Sequence, residues 1–177
     1  MIEHKTGNLL DFGHGITMIA HCANIKNCFG SGIALQIKEE YPAAYEADCE
    51  AAEKGKNNLG QFSVAKLPNG KFIVNLYGQS LYGMDERQLD YEAIYIALEE
   101  LHRLLLEAKE KGKVHILGVP KLMGCFRAGG SWKVVNAMLE VIFLDSPIKL
   151  VIVEYIKKDS SIEEAKQNYE SRTNKLS

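Results

Sequence analysis

The 177-residue sequence lacks an apolar run long enough to cross a membrane, and it begins without the apolar core of a signal peptide. Its four cysteines, Cys22, Cys28, Cys49 and Cys125, are scattered without CxxC pairing. This spacing argues against zinc-ribbon patterns and favours reduced thiols, so we expect a cytoplasmic protein with neither disulfides nor a bound metal. The net charge of -2 argues against an extended nucleic-acid-binding surface.

Two common nucleotide-binding motifs are absent as well. GxxxxGK[ST] does not occur, because no lysine follows Gly32, and GxGxxG fails after Gly30 and Gly32 because Leu35 occupies the third glycine position. No cluster of acids and histidines has the character of a two-metal phosphatase site. These absences argue against a Walker-type loop, a dinucleotide fingerprint and a two-metal centre.

What the sequence does contain is a mixed order of strand and helix signals. Hydrophobic residues make up 46% of the chain, which is enough to bury one core. Apolar patterns predict strands at 2–6, 16–20, 61–67, 71–77, 114–119 and 150–155, and helices at 32–41, 42–55, 90–111 and from Ser131 onward. The predicted fold class is α/β: residues 1–156 form a three-layer α/β/α domain around a mixed central sheet. Residues 157–177 are predicted to be a polar C-terminal extension, in which Ser161 and Glu164 indicate a short capped helix.

Two segments follow a predicted strand, pass through glycines and lead into a predicted helix. The first contains Gly30 and Gly32, and the second spans 120–132. Glycines let backbone N–H groups approach a ligand, and a helix start adds unpaired donors and a positive dipole end. A tight turn between strand and helix explains the first pattern equally well. Because ligands of such sheets bind beyond the carboxyl ends of the strands, we expect both loops at one edge, with a phosphate between them.

The residues of both loops resemble a known family. Two segments, HCAN (21–24) and CFGSGIALQIKEEYP (28–42), resemble the first ligand loop of a macro domain. The macro domain is the fold that binds ADP-ribose. MGCFRAGGSW (123–132) resembles the macro-domain segment that wraps the distal ribose and the diphosphate. NLYGQ (75–79) and DYEA (90–93) are similar to segments of phage and bacterial relatives. The resemblance is closest to the branch of ADP-ribose 1''-phosphate phosphatases.

This resemblance implies an enzyme that hydrolyses ADP-ribose 1''-phosphate to ADP-ribose and phosphate without a cofactor. It implies that His21, at the strand end, is the general acid or base and that Asn24 lies beside the distal ribose. A structural histidine at a strand end is the alternative for His21. Phosphate monoesters hydrolyse very slowly unaided, so the loops must also supply donors that stabilise the anion.

The resemblance also implies a set of ligand-binding residues. They are Asn8 and Leu9; Gly30, Ser31, Gly32 and Ile33; Gly124, Cys125, Phe126, Arg127, Ala128, Gly129 and Gly130; and Tyr155. Asn8 stands where relatives have an aspartate that binds adenine, and Asp11 is a lesser candidate. A plain turn residue is the alternative for Asn8, and core-edge packing is the alternative for Tyr155.

Three residues of the second loop depart from the family pattern, and one of them, Ser131, replaces an acid. Phe126 replaces a glycine, and it either narrows the distal pocket or stacks on the ribose. Arg127 replaces an apolar residue, and it either supplies charge to a terminal phosphate or points to solvent or a neighbouring loop. The cysteines near the loops lack a cationic context and are predicted to be small packing groups.

Two further functions are compatible with the same resemblance. The protein can be a non-catalytic reader of ADP-ribose, or a glycohydrolase that removes ADP-ribose from a macromolecule. Glycohydrolase relatives use a lysine and, in some members, an aspartate, and those positions fall near Gln79 and Ala128 here. Neither residue can perform that chemistry, so the lysine-dependent reaction loses support. The sequence leaves the oligomeric state open.

Overall fold

The computed structural model of the protein describes residues 1–155. The predicted C-terminal extension at 157–177, with its capping pair Ser161 and Glu164, lies outside the described residues. The domain boundary at 156 therefore stays a prediction.

Six strands and four α-helices make up residues 1–155, together with a 3₁₀ turn at Leu9–Asp11. The strands are β1 (Ile2–Thr6), β2 (Met18–Asn24), β3 (Phe62–Lys66), β4 (Phe72–Gln79), β5 (Ile116–Pro120) and β6 (Lys149–Glu154). The helices are α1 (Gly32–Glu40), α2 (Pro42–Glu53), α3 (Tyr91–Glu110) and α4 (Trp132–Phe143).

The strands form one sheet in the order β1-β6-β5-β2-β4-β3. Every neighbouring pair is parallel except β3 and β4, which form the antiparallel hairpin that Asn69-Gly70 predicts. The predicted mixed sheet is thus confirmed. Because β1, β6, β5, β2 and β4 run in the same direction, their carboxyl ends share one edge of the sheet.

Helices cover both faces of the sheet, which confirms the three-layer architecture. Side chains along β2 alternate between the two faces. Ala20 packs into a core with residues of α3 and α4, whereas Ile19 packs into a second core with residues of α1 and α2. Within residues 1–155, no helix combines the length and the apolar character needed to span a bilayer.

The helix starts differ in how they are capped. Pro42 occupies the first turn of α2, where its missing N–H costs nothing. Asp90 caps α3, because its carboxylate accepts a hydrogen bond from the Ala93 amide at 2.9 Å. Ser31 and Ser131 hold the same position before α1 and α4, but within the described residues neither makes a side-chain capping bond. The two helix starts at the glycine loops are therefore left open.

Strand β2 is longer than predicted. It ends at Asn24 rather than Ala20, so His21 lies inside the strand and the predicted strand end is wrong. In the parallel register His21 pairs with Asn75 of β4. This polar partner allows a polar side chain in the middle of a buried strand.

Candidate functional site

All predicted binding residues lie at the shared strand edge. They follow four different strands: Asn8 and Leu9 after β1, 30–33 after β2, 124–130 after β5, and Tyr155 after β6. Since β2 and β5 are neighbours in the sheet, the two glycine loops lie side by side. We call the surface formed by residues 25–32 and 121–131 the rim.

The two loops contact each other through Gly32 and Arg127. A Cβ atom built on Gly32 would lie 3.9 Å from both Cδ and Nε of Arg127. Gly32 has φ +59°, in the left-handed region that favours glycine. The Arg127 side chain therefore crosses to the start of α1, which corresponds to the neighbouring-loop alternative of the sequence analysis.

Helices α1 and α4 both begin at the rim. The first N–H groups of a helix have no partner within the helix, and the helix dipole places partial positive charge there. The Ser131 amide donates to the Tyr91 hydroxyl at 2.7 Å, and the Arg87 guanidinium lies 4.7 Å from the Tyr91 ring. The rim thus combines backbone donors with the guanidinium of Arg127. This chemistry suits a phosphate ester or a diphosphate.

Asn24 shapes the first loop from within. Its Oδ1 accepts hydrogen bonds from the amides of Lys26 at 3.0 Å and Cys28 at 3.1 Å. Its Nδ2 donates to the Cys28 carbonyl at 2.8 Å, and the residue is only 6% exposed. These bonds use both acceptor sites of the side chain and make Asn24 a support for the loop. Its contact with a distal ribose stays a prediction.

A second asparagine fixes the same loop to α2. Asn27 adopts φ 54°, and its Nδ2 donates to Asp48 Oδ2 at 2.8 Å and to the Asp48 carbonyl at 3.0 Å. Burial raises the pKa of the Asp48 carboxyl above its ordinary value, and the hydrogen bond from Asn27 only partly opposes this shift. The sequence analysis missed this tether. The signal that could have found it is the tolerance of asparagine for left-handed backbone.

Close packing shapes the second loop. A Cβ atom on Gly130 would collide with the Leu89 side chain and lie 2.8 Å from the Gly124 carbonyl oxygen, so a side chain does not fit there. Ala128 is buried, and its carbonyl accepts hydrogen bonds from the amides of Gln88 at 2.9 Å and Leu89 at 3.0 Å. The segment between β4 and α3 therefore supports the second loop, a contact that the sequence did not predict.

His21 is fully buried beneath the rim. Its Nε2 lies 2.7 Å from Asn75 Oδ1, and its ring meets Phe29 edge-on. Asn75 Nδ2 donates to the Ala44 carbonyl and to the Ser63 hydroxyl. Because the Asn75 amide oxygen must then face His21, Nε2 carries the imidazole hydrogen. Among the described residues, Nδ1 has no hydrogen-bond partner.

Burial lowers the pKa of His21 to about 4, because an imidazolium would lose its hydration. At pH 7 the ring is therefore neutral. A general acid or base must contact the ester or the attacking water, and the fully buried ring reaches neither in this conformation. The catalytic role of His21 stays a prediction that this geometry does not favour.

The residues predicted to bind adenine differ in exposure. Asn8 accepts from the Leu10 amide at 3.1 Å and donates to Asp11 Oδ1 at 3.0 Å, so it has the geometry of the turn residue that was its alternative. Leu9 is buried in the core beside α1 and α2. Tyr155 is 64% exposed and so lacks the core-edge packing that was its alternative. The adenine contacts stay predictions.

The remaining candidates of the second loop are an exposed aromatic and a thiol. Phe126 is 79% exposed and narrows no pocket in this conformation, so its stacking on a ribose stays a prediction. Burial raises the pKa of Cys125 to about 11 and that of Cys22 to about 12, so both are neutral thiols at pH 7. Among residues 1–155, no group of three or more His, Cys, Asp or Glu side chains is arranged to hold a metal ion.

Comparison with known proteins identifies the fold. No protein-family model matches the chain. An uncharacterized 17.5 kDa protein of Enterobacteria phage T4 is 28% identical over 144 residues, which cover 77% of this chain and 85% of the phage protein. The structure is similar to the macrodomain of Thermus aquaticus DarG, with a TM-score of 0.72 and 23% identity over 89% of this chain and 99% of that one. It is also similar to Thermosipho africanus DarTG in complex with ADP-ribose, with a TM-score of 0.71 and 17% identity over 88% of this chain and 42% of that one.

The protein is a three-layer α/β domain in which the N-termini of two helices, α1 and α4, lie without side-chain caps at one edge of the sheet. The structural likenesses extend over nearly nine-tenths of the chain. The chain has the macrodomain fold, as the residues of its two loops predicted.

Proposed function

We propose that this protein binds ADP-ribose at the rim. The proposal depends on one observation: the uncapped N-termini of α1 and α4 lie at the same edge of the sheet, and Arg127 of one loop contacts Gly32 of the other. A diphosphate is the part of ADP-ribose that such backbone donors and a guanidinium recognise. The similar Thermosipho africanus structure is a complex with ADP-ribose, which supports this choice of ligand.

The strand order suggests how the ligand lies. Asn8 and Tyr155 follow the neighbouring strands β1 and β6, at one end of the sheet edge. The two glycine loops follow β5 and β2, further along the same edge. We assign the adenine to the β1 and β6 end, the diphosphate to the rim, and the distal ribose to the part of the rim near Phe126.

Calorimetric titration with ADP-ribose tests this binding. We expect saturation of the wild-type protein, and an affinity at least tenfold lower for Arg127→Ala, since a charged hydrogen bond contributes about 1.5–3 kcal/mol. Arg103→Ala is the matched control, because Arg103 is an exposed arginine of α3 that pairs with Glu100 and Glu107. Absence of saturation at millimolar ADP-ribose, or equal losses in the two variants, would contradict the proposal.

We further propose that the bound ligand is ADP-ribose 1''-phosphate and that the protein hydrolyses it to ADP-ribose and phosphate. This proposal is supported by the resemblance of HCAN and the second loop to the phosphatase branch. Release of phosphate from ADP-ribose 1''-phosphate is the direct assay. A sharp loss of phosphate release in His21→Gln would support a catalytic role for His21. Unchanged phosphate release would indicate that His21 has a structural role only.

Two other results would redirect the assignment. Saturable ADP-ribose binding without phosphate release would identify a reader. Release of ADP-ribose from an ADP-ribosylated protein or DNA would identify a glycohydrolase, although Gln79 and Ala128 provide neither the lysine nor the aspartate of that reaction.

A further inference from the structure

A layer of buried polar side chains lies between the sheet and α2, on the side of the sheet that carries the first loop. We call His21, Asp48, Ser63, Asn75 and Tyr77 the polar layer; each is at most 8% exposed. Of the side-chain nitrogen and oxygen atoms in residues 1–155, three are buried without a hydrogen-bond partner: His21 Nδ1, Asp48 Oδ1 and the Tyr77 hydroxyl. All three belong to the polar layer. Unpartnered buried groups destabilise a fold, and departures of this kind are expected where function requires them.

Asp48 is the one carboxyl group of the polar layer. A carboxylate in the core loses its hydration, and a paired cation normally offsets this cost. Within the described residues, Asp48 forms no ion pair with a lysine, arginine or histidine. Its Oδ2 accepts instead from Asn27 Nδ2 of the first loop, at 2.8 Å, and the same Nδ2 donates to the Asp48 carbonyl at 3.0 Å. The buried carboxyl group is therefore bonded to the loop.

Asn27 depends on this partner because of its backbone conformation. Its φ of 54° lies in the left-handed region, which is unfavourable for a residue with a Cβ atom. The bonds to Asp48 hold the turn at Asn27, and this turn directs residues 28–32 toward the start of α1. On the other side of the turn, Asn57 Nδ2 donates to the Ile25 carbonyl at 3.0 Å. The loop is thus anchored on both sides of its turn.

We propose that Asp48 is a positioning residue of the anion site. Through Asn27 it fixes the first loop in the conformation in which the loop amides and the start of α1 face the diphosphate. The identity of this anion rests on the proposed function. Asp48 itself is fully buried and does not contact the ligand. A loop released from Asp48 must be ordered when the ligand binds, and this cost lowers the affinity.

Calorimetric titration of Asp48 variants with ADP-ribose tests the proposal. We expect Asp48→Ala to bind at least tenfold more weakly, because the released loop is in the binding conformation less than about a tenth of the time. Asp48→Asn keeps an amide oxygen that accepts from Asn27, so it should bind within about threefold of the wild type. Rescue by asparagine separates the positioning of Asn27 from the electrostatic effect of a buried charge.

Ser63→Ala is the matched control. Ser63 belongs to the polar layer and accepts a hydrogen bond from Asn75, but within the described residues it makes no hydrogen bond to the first loop. Ser63→Ala should lower the urea midpoint of unfolding and leave the affinity for ADP-ribose within about twofold of the wild type. Equal losses of affinity in Asp48→Ala and Ser63→Ala, or no rescue in a folded Asp48→Asn, would overturn the proposal.

Asn27→Gly removes the same two hydrogen bonds from the loop side, and glycine tolerates the left-handed backbone. If Asp48→Ala does not fold, Asn27→Gly should show the tenfold weaker binding in its place, and a wild-type affinity in Asn27→Gly would overturn the proposal.

NMR spectra without ligand separate this proposal from the proposed function. We expect the backbone amide signals of residues 25–32 to shift or broaden in Asp48→Ala and to stay close to wild type in Asp48→Asn and Ser63→Ala. If these shifts occur but ADP-ribose does not saturate the wild type, the ligand assignment is wrong and the positioning of the loop by Asp48 stands. Unperturbed loop signals in Asp48→Ala would refute the positioning role, whichever ligand binds.

Discussion

The buried His21 should make the stability of the fold depend on pH. Its ordinary pKa is 6.5, and burial lowers the pKa to about 4 in the folded protein. Between these values the unfolded chain binds a proton that the folded chain does not bind. The contribution of His21 is therefore complete above pH 6.5 and is lost as the pH falls to 4. At about 1.4 kcal/mol per pH unit, the loss is about 3 kcal/mol of unfolding free energy.

Urea unfolding of the wild type and of His21→Gln between pH 7 and pH 4 measures this effect. Glutamine keeps a donor for Asn75 and does not titrate. Asp48, with its raised pKa, acts in the opposite direction, but it is present in both proteins and cancels in their difference. We expect the stability of the wild type relative to the variant to fall by about 3 kcal/mol over this range. A constant difference, or an NMR titration of the His21 ring near pH 6.5, would refute the reasoning.

Three further predictions concern the loops and helix starts. Asn27→Ala should lower the unfolding free energy by about 1 kcal/mol more than Asn27→Gly, because alanine pays the left-handed backbone cost; equal losses in urea titrations would contradict this. Gly130→Ala should destabilise by more than about 1 kcal/mol and weaken ADP-ribose binding, whereas Gly13→Ala, with no atom near the added Cβ, should stay within about 0.5 kcal/mol in the same assays. Asp90→Ala should cost about 1 kcal/mol through loss of the α3 cap, but Ser131→Ala should cost less than half as much by thermal unfolding, because no capping bond is lost.

Local sequence signals were sufficient for most of the architecture. Asn69-Gly70 between two β-rich runs predicted the β3–β4 hairpin, and Ser131 before an amphipathic run predicted the start of α4 at Trp132. These signals work because turn and cap preferences act within a few residues. The meeting of the two glycine loops followed from the general rule that parallel strands share an edge.

Local sequence signals could not predict contacts between polar residues that are far apart in the sequence. His21 was predicted at the end of a strand and not inside it, because its partner, Asn75, is 54 positions away and becomes its neighbour only when β2 and β4 pair. The Asn27–Asp48 tether likewise joins a loop to a helix 21 residues later. A polar side chain is placed inside or outside the core by the partner that satisfies it, and the partner is a property of the tertiary fold.

The open amides at the starts of α1 and α4 belong to the main chain, so no substitution other than one to proline deletes them. An alanine scan across this surface would therefore underestimate the contribution of these amides to the proposed binding of an anion. A random mutagenesis screen for loss of binding should instead recover substitutions at backbone-shaping positions such as Gly32, Gly130 and Asn27, together with prolines in the first helical turns. Natural variation of the exposed side chains would then change the specificity for the group attached to the anion, while the main-chain contacts to the anion stay the same.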